Sequence, residues 1–167
     1  MTVKSRSIAA LRVFGDDLDP REVSRLLAAT PSDSHRKGEV HVSSAGRRYV
    51  RKTGMWCLEA RGEAPDSLQS QISRILSVLT SDLEAWRTLA QRFEIDMFCG
   101  LFMTESSEGL DMSSAVMELM AERRIPLAIC IYGPDDPQLE PGGPCPCRSG
   151  SSYGDCCAIR RVAEQIA

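Results

Sequence analysis

At 167 residues, with 43% hydrophobic and 26% charged side chains, the chain is long enough for a real core, and its composition excludes a wholly disordered protein. A net charge of −3 is too mild to argue for nucleic acid or a membrane as partner. The amino-terminal stretch has no apolar run of signal-peptide length, and the longest apolar run, IPLAICIYG, is far too short to span a bilayer, so a cytoplasmic location without membrane contact is expected.

Residues 8–15, IAALRVFG, read as a strand. Asp19 is an N-cap candidate, Pro20 fits the first helical turn, and Val23, Leu26 and Leu27 share a face, which predicts a helix. Pro31, Ser32, Asp33 and Ser34 read as a polar loop. Residues 39–62, EVHVSSAGRRYVRKTGMWCLEARG, read as two strands joined by the Ser-Ala-Gly turn, the second running into MWCLEA. Over residues 66–93, Leu68, Ile72, Ile75, Leu76, Leu79, Leu83, Trp86, Leu89 and Phe93 recur at helical spacing. This fits one helix roughly 40 Å long. It equally fits two, the second capped from Thr80, Ser81 and Asp82. EIDMFCGLFMTE predicts a strand, residues 113–124 a helix ending in Arg123 and Arg124, and IPLAICIYG a buried strand.

This order predicts an α+β fold. It is a two-layer sandwich of a mainly antiparallel, four- or five-stranded sheet with helices, and its first six elements follow a split β-α-β arrangement of ferredoxin-like type. Residues 1–133 would form this domain. Residues 134–144, PDDPQLEPGGP, hold four prolines and two glycines and read as a semi-stiff linker. Residues 145–167 would form a small separate module with a short tail helix.

That module carries four of the seven cysteines, Cys145, Cys147, Cys156 and Cys157, as two close pairs eight residues apart. Two such pairs can supply the tetrahedral sulfur donors of a closed structural zinc site, and the metal would provide the folding energy that so little apolar surface cannot. A Cys156–Cys157 disulfide would be strained, because neighbouring α-carbons lie only about 3.8 Å apart and disulfides prefer roughly 5.5 Å. An iron–sulfur cluster needs other spacings. The run PCPCRSGSSYGDCC resembles the SEC-C motif, a zinc-binding module attached to many bacterial domains. The resemblance implies zinc as cofactor, those four cysteines as ligands, and a contact surface for a protein partner. Arg148 departs from the glycine usual there, at a position that binds no metal.

Residues 1–133 bear a second resemblance. LRVFGDDLDP, HRKGE, TGMWCLE and IPLAICIYG, in this order, are similar to the bacterial domain of unknown function 4279, which implies no activity and no catalytic residues.

Several residues remain as site candidates. Asp16, Asp17 and Asp19 either hold a divalent cation or serve the first helix as caps. Arg36, Lys37, Arg47, Arg48, Arg51 and Lys52, with His35 and His41, form a basic stretch. It suits phosphate or an acidic protein surface, or else is a solvated hairpin whose charges discourage edge pairing. Cys57, Cys99 and Cys130 read as small buried hydrophobes, although Cys57 beside a histidine would be a nucleophile. Met112, Met117 and Met120 read as core and rim. No Walker loop, G-x-G-x-x-G, G-x-S-x-G or H-E-x-x-H is present.

The expectation is therefore a non-enzymatic, zinc-binding protein-interaction or adaptor module, of which an immunity protein is one version. The alternatives are an enzyme using Asp16, Asp17, His35 or Cys57 around a structural zinc, and a nucleic-acid binder using the basic hairpin 36–52.

Overall fold

The computed structural model describes residues 6–42, 46–60, 67–104 and 107–133. Its centre is β1 (Arg6–Gly15), the longest strand, which pairs antiparallel with β5 (Gly54–Glu59) on one side and β6 (Glu94–Phe102) on the other. β2 (Asp33–His35) extends the sheet antiparallel beyond β5, and β7 (Leu127–Tyr132) extends it parallel beyond β6. The order is β2-β5-β1-β6-β7. Within it, β6-β1-β5-β2 with every neighbour antiparallel is the connectivity of a split β-α-β unit. β7 is added by a crossover through a helix, as a parallel neighbour requires. A second sheet holds only β3 (Val40–Val42) and β4 (Arg48–Val50), a hairpin inserted between β2 and β5.

Four helices among the described residues form the second layer. α1 (Pro20–Leu27) starts where Asp19 accepts a hydrogen bond from the Arg21 amide, and it stops at Ala28 in a left-handed conformation. The long apolar period resolves into α2 (Leu68–Val78) and α3 (Leu83–Arg92). Leu79 is extended and Asp82 caps α3, while buried Trp86 donates its indole N–H to the Thr80 carbonyl at 2.9 Å, which pins the break. α4 (Ser114–Glu122) precedes β7 and is capped by Ser113. The helices bury Leu27, Ile72, Ile75, Trp86, Leu89, Val116 and Met120 against Leu11, Val13, Trp56, Met97 and Cys99 of the sheet.

IPLAICIYG was expected as a buried strand and is instead the edge strand β7, with Leu127, Ile129 and Ile131 exposed. Beyond that, the structure differs from the sequence reading in three places. Residues 33–35 are an edge strand rather than loop, because Asp33, Ser34 and His35 pair with Cys57, Trp56 and Met55. The hairpin formed by Val40–Val42 and Arg48–Val50 stands apart, so the main-sheet strand begins afresh at Gly54. The expected Cys₄ zinc module is the third correction. Among the described residues no group of three or more His, Cys, Asp or Glu is placed to hold a metal ion, and Cys57, Cys99 and Cys130 stand on three different strands, β5, β6 and β7. Cys145, Cys147, Cys156 and Cys157 lie outside the described residues, as do 134–144. The fold described is thus an α+β two-layer domain, without support for a separate zinc module.

β1 runs past the end of β5, which among the described residues leaves part of its backbone with no strand beside it. Gln71 of α2 replaces the missing neighbour. Its Oε1 accepts from the Ala9 amide at 2.8 Å and its Nε2 donates to the Ser7 carbonyl at 2.9 Å. Gln71→Leu keeps the volume but removes both hydrogen bonds and leaves the Ala9 amide without its acceptor, so unfolding in urea should show a loss of about 3 kcal/mol.

Candidate functional site

Side chains on the sheet face away from the helices include Ala10, Arg12 and Phe14 of β1, Met55 and Cys57 of β5, and Asp96 and Phe98 of β6, as the strand register and alternation require. Arg12 is buried at the middle of this face. Its Nε and Nη2 reach Asp96 Oδ1 and Oδ2 at 2.8 and 2.6 Å, a fork on a carboxylate. The guanidinium carbon also lies 4.3 Å from the Phe98 ring centre and 5.1 Å from that of Phe14. This pair was not singled out from the sequence, although an arginine inside one apolar strand and an aspartate inside another were a readable sign of it.

Beside the pair opens a cleft of about 600 Å³, lined by Arg12, Gly15, Asp16, Thr53, Arg92, Glu94 and Asp96 among others. Gly15 makes room there, since a Cβ would meet the Phe93 ring at 2.5 Å. The charges around it are largely matched. Asp16 pairs with Lys37, and Arg92 pairs with Glu22 at 2.5 Å. Hydrogen bonding to Lys37 holds the Asp16 carboxyl below its ordinary value, and Arg92 does the same for Glu22. The residues of the expected catalytic cluster do not converge here. Of Asp16, Asp17, His35 and Cys57, the cleft takes Asp16 alone. His35 and Cys57 sit on β2 and β5, with Cys57 opposite Asp33 and Arg12 rather than a histidine. Burial pushes the Cys99 thiol up to about 12, so it stays protonated.

The acidic corner and the basic stretch meet. Asp19 caps α1 and also pairs with Arg36 at 2.5 Å, while Lys37 takes Asp16. Of the basic residues, Arg51 is buried and Arg47, Arg48 and Lys52 are exposed. Arg51 Nη2 donates to His41 Nδ1 at 3.2 Å, and its guanidinium carbon lies 5.2 Å from the Tyr49 ring centre. His41 and Tyr49 face each other across the hairpin with ring centres 4.9 Å apart. The opposite hairpin face carries Val40, Val42 and Val50, each more than half exposed. Their alternation in VHV was the signal, overlooked beside the charges. The hairpin base is closed by Gly38 at φ +86, whose amide donates to the Arg51 carbonyl at 2.8 Å.

His35 is buried near this root, and its Nδ1 has no hydrogen-bond partner. Burial holds its pKa below the ordinary value, with Arg51 and more weakly His41 acting the same way against Asp33 and Glu39. Of the methionines, Met120 is in the core, Met112 packs partly against it, and Met117 is exposed.

No helix among the described residues is long and apolar enough to cross a membrane. The family model described as a domain of unknown function (DUF4279) matches residues 3–134. No curated protein and no solved structure matches the chain. The match ends before the cysteine run, and no metal-holding group is found among the described residues. The expectations of a SEC-C module, a zinc cofactor and a zinc-based adaptor function are corrected accordingly.

Two outcomes test this site. Asp96→Ala leaves the Arg12 charge buried without its carboxylate and should cost about 3 kcal/mol in chemical denaturation, whereas Arg12→Met/Asp96→Leu should recover much of that loss. Because His35 has a depressed pKa, the unfolded chain binds its proton first as pH falls. The stability His35 contributes is therefore complete above the ordinary value of 6.5 and is lost below it. The difference in unfolding free energy between wild type and His35→Gln should shrink on acidification from about pH 7 to about pH 5.

Proposed function

We propose, for a chain that belongs to the family of the domain of unknown function DUF4279, that it is a protein-recognition domain whose contact element is the β3–β4 hairpin. One observation carries the reading: three valines stand exposed on one face of a two-stranded hairpin that lies outside the main sheet. A two-stranded hairpin has little stability of its own, and a solvent-facing cross-strand pair such as Val40 and Val50 adds only a little to it. They gain when a partner covers them. On the other face Arg51, His41 and Tyr49 contact one another, which stiffens the hairpin before any encounter.

The exposed Arg47, Arg48 and Lys52 set the chemistry around this strip. An apolar centre with a positive rim fits a protein surface whose own apolar patch is bordered by Asp and Glu. The cleft beside Arg12 is less suited to the function, because most of its acids and bases are already paired.

The test is affinity purification on the tagged full chain, wild type beside Val42→Asp/Val50→Asp. A single protein should be recovered in stoichiometric amount with wild type, and its recovery should fall at least about tenfold with the variant while circular dichroism is unchanged. Equal recovery would sink the reading. Nucleic acid in the wild-type eluate, released by moderate salt, would instead assign the hairpin to phosphate binding.

A further inference from the structure

Among the described residues, the two edges of the main sheet are built differently. β2 is three residues long, carries Asp33, and leads into the charged root of the hairpin. These are the usual means of keeping an edge from pairing with another chain. β7 has none of them. Leu127-Ala-Ile-Cys-Ile-Tyr132 contains no charged residue and no proline over six residues. Leu127, Ile129 and Ile131 remain 40, 39 and 61% exposed.

The direction of the backbone on this edge follows from its ladder with β6. The carbonyls of Pro126 and Tyr132 accept from the amides of Met97 and Met103 at 2.8 and 2.9 Å. Even-numbered residues therefore turn their backbone groups toward β6, and Leu127, Ile129 and Ile131 turn theirs outward. The parallel register places the side chains of these same three residues beside Met97, Cys99 and Leu101, on the helix-covered face. One set of residues thus offers both the outward hydrogen-bonding groups and the apolar side chains.

We infer that β7 is the dimerisation edge of this protein, pairing antiparallel with β7 of a second copy across a two-fold axis at Ile129. The argument for a second copy is self-complementarity. An axis perpendicular to the sheet keeps each residue on its own face, so such a pairing must centre on a residue and join residues of equal parity. Centred on Ile129, it sets Ile129 against its own copy and Leu127 against Ile131, and all the outward groups of the strand find partners. The sequence Leu-x-Ile-x-Ile is apolar from either direction, and no charge on β7 meets a like charge across the axis. The product is a continuous ten-stranded sheet with the helices of both copies on one face. This surface lies at the opposite edge from the hairpin and is independent of its role.

Light scattering coupled to gel filtration on the full chain tests the inference. Wild type should elute at twice the 18.4 kDa chain mass, and Ile129→Lys at once that mass with unchanged circular dichroism. In the dimer the amides of Leu127, Ile129 and Ile131 should exchange slowly with deuterium, and in the variant quickly. Should Ile129→Lys fail to fold, Ile131→Lys at the most exposed of the three positions takes its place. A wild-type chain that is monomeric at tens of micromolar overturns the inference. So does a dimer that survives both lysine variants, or one that is lost only with Val42→Asp/Val50→Asp.

Discussion

The placement of Arg12 against Asp96 is the constraint on which the sheet is built. β1 is the central strand, and its register with β6 runs over nine residue pairs, from Arg6↔Phe102 to Phe14↔Glu94. A slip of one residue would turn Leu11 and Val13 out and drive Arg12 into the helix-covered core. Apolar alternation already opposes that slip, but weakly here, because Phe14 and Phe98 make the other face partly apolar too. A buried guanidinium with a forked carboxylate partner removes the ambiguity. It has one acceptable position, and burying it elsewhere costs several kcal/mol. Its value is more in fixing the arrangement than in adding net stability.

With that register set, the rest of the architecture follows from which strands outlast their neighbours. β1 extends beyond β5, so a helix side chain, Gln71, must complete its hydrogen bonding. Gly15 pairs with Gly54 where β1 ends and β5 begins, and both positions are crowded: a Cβ at residue 54 would stand 2.7 Å from the Gly15 carbonyl oxygen. The close approach brings Leu18 down onto the sheet and leaves Gly15 and Asp16 at the rim of the cleft. The cleft is thus a by-product of where strands stop, and its balanced charge is in keeping with that origin.

The helices were legible in the sequence because their information is local. Asp19 and Asp82 cap helices as their types and positions suggest, Pro20 opens α1, and Ser113, read as the first residue of its helix, is its cap. The choice between one long helix and two rests on the tertiary contact of Trp86 with Thr80, which periodicity alone leaves open. β2 was hidden because three polar residues carry no strand pattern, and they become a strand only through the presence of β5. The candidate site was legible in part. The basic stretch announced itself by composition, but the loss of Arg36 and Lys37 to Asp19 and Asp16 is a pairing across about twenty residues of chain that no local rule predicts. The cysteine spacing was the strongest local signal in the chain and misdirected the functional reading, because a motif describes its own few residues and not the domain before it.

Those two ion pairs also bear on what the hairpin does. Both are largely exposed, so each adds little to stability. Their effect is directional. Arg36 and Lys37 stand between β2 and β3, and their partners stand between β1 and α1, so the root of the hairpin is tied to the corner of the main sheet at two points. His35 buried just before that root and Arg51 buried just after the hairpin close it from within. A hairpin held on both sides of its root loses less freedom on meeting a partner than a free one, which leaves more of the contact energy as affinity. The charges nearest the core are thus spent on aiming the hairpin, and those farther out, Arg47, Arg48 and Lys52, are left at its surface beside the valines.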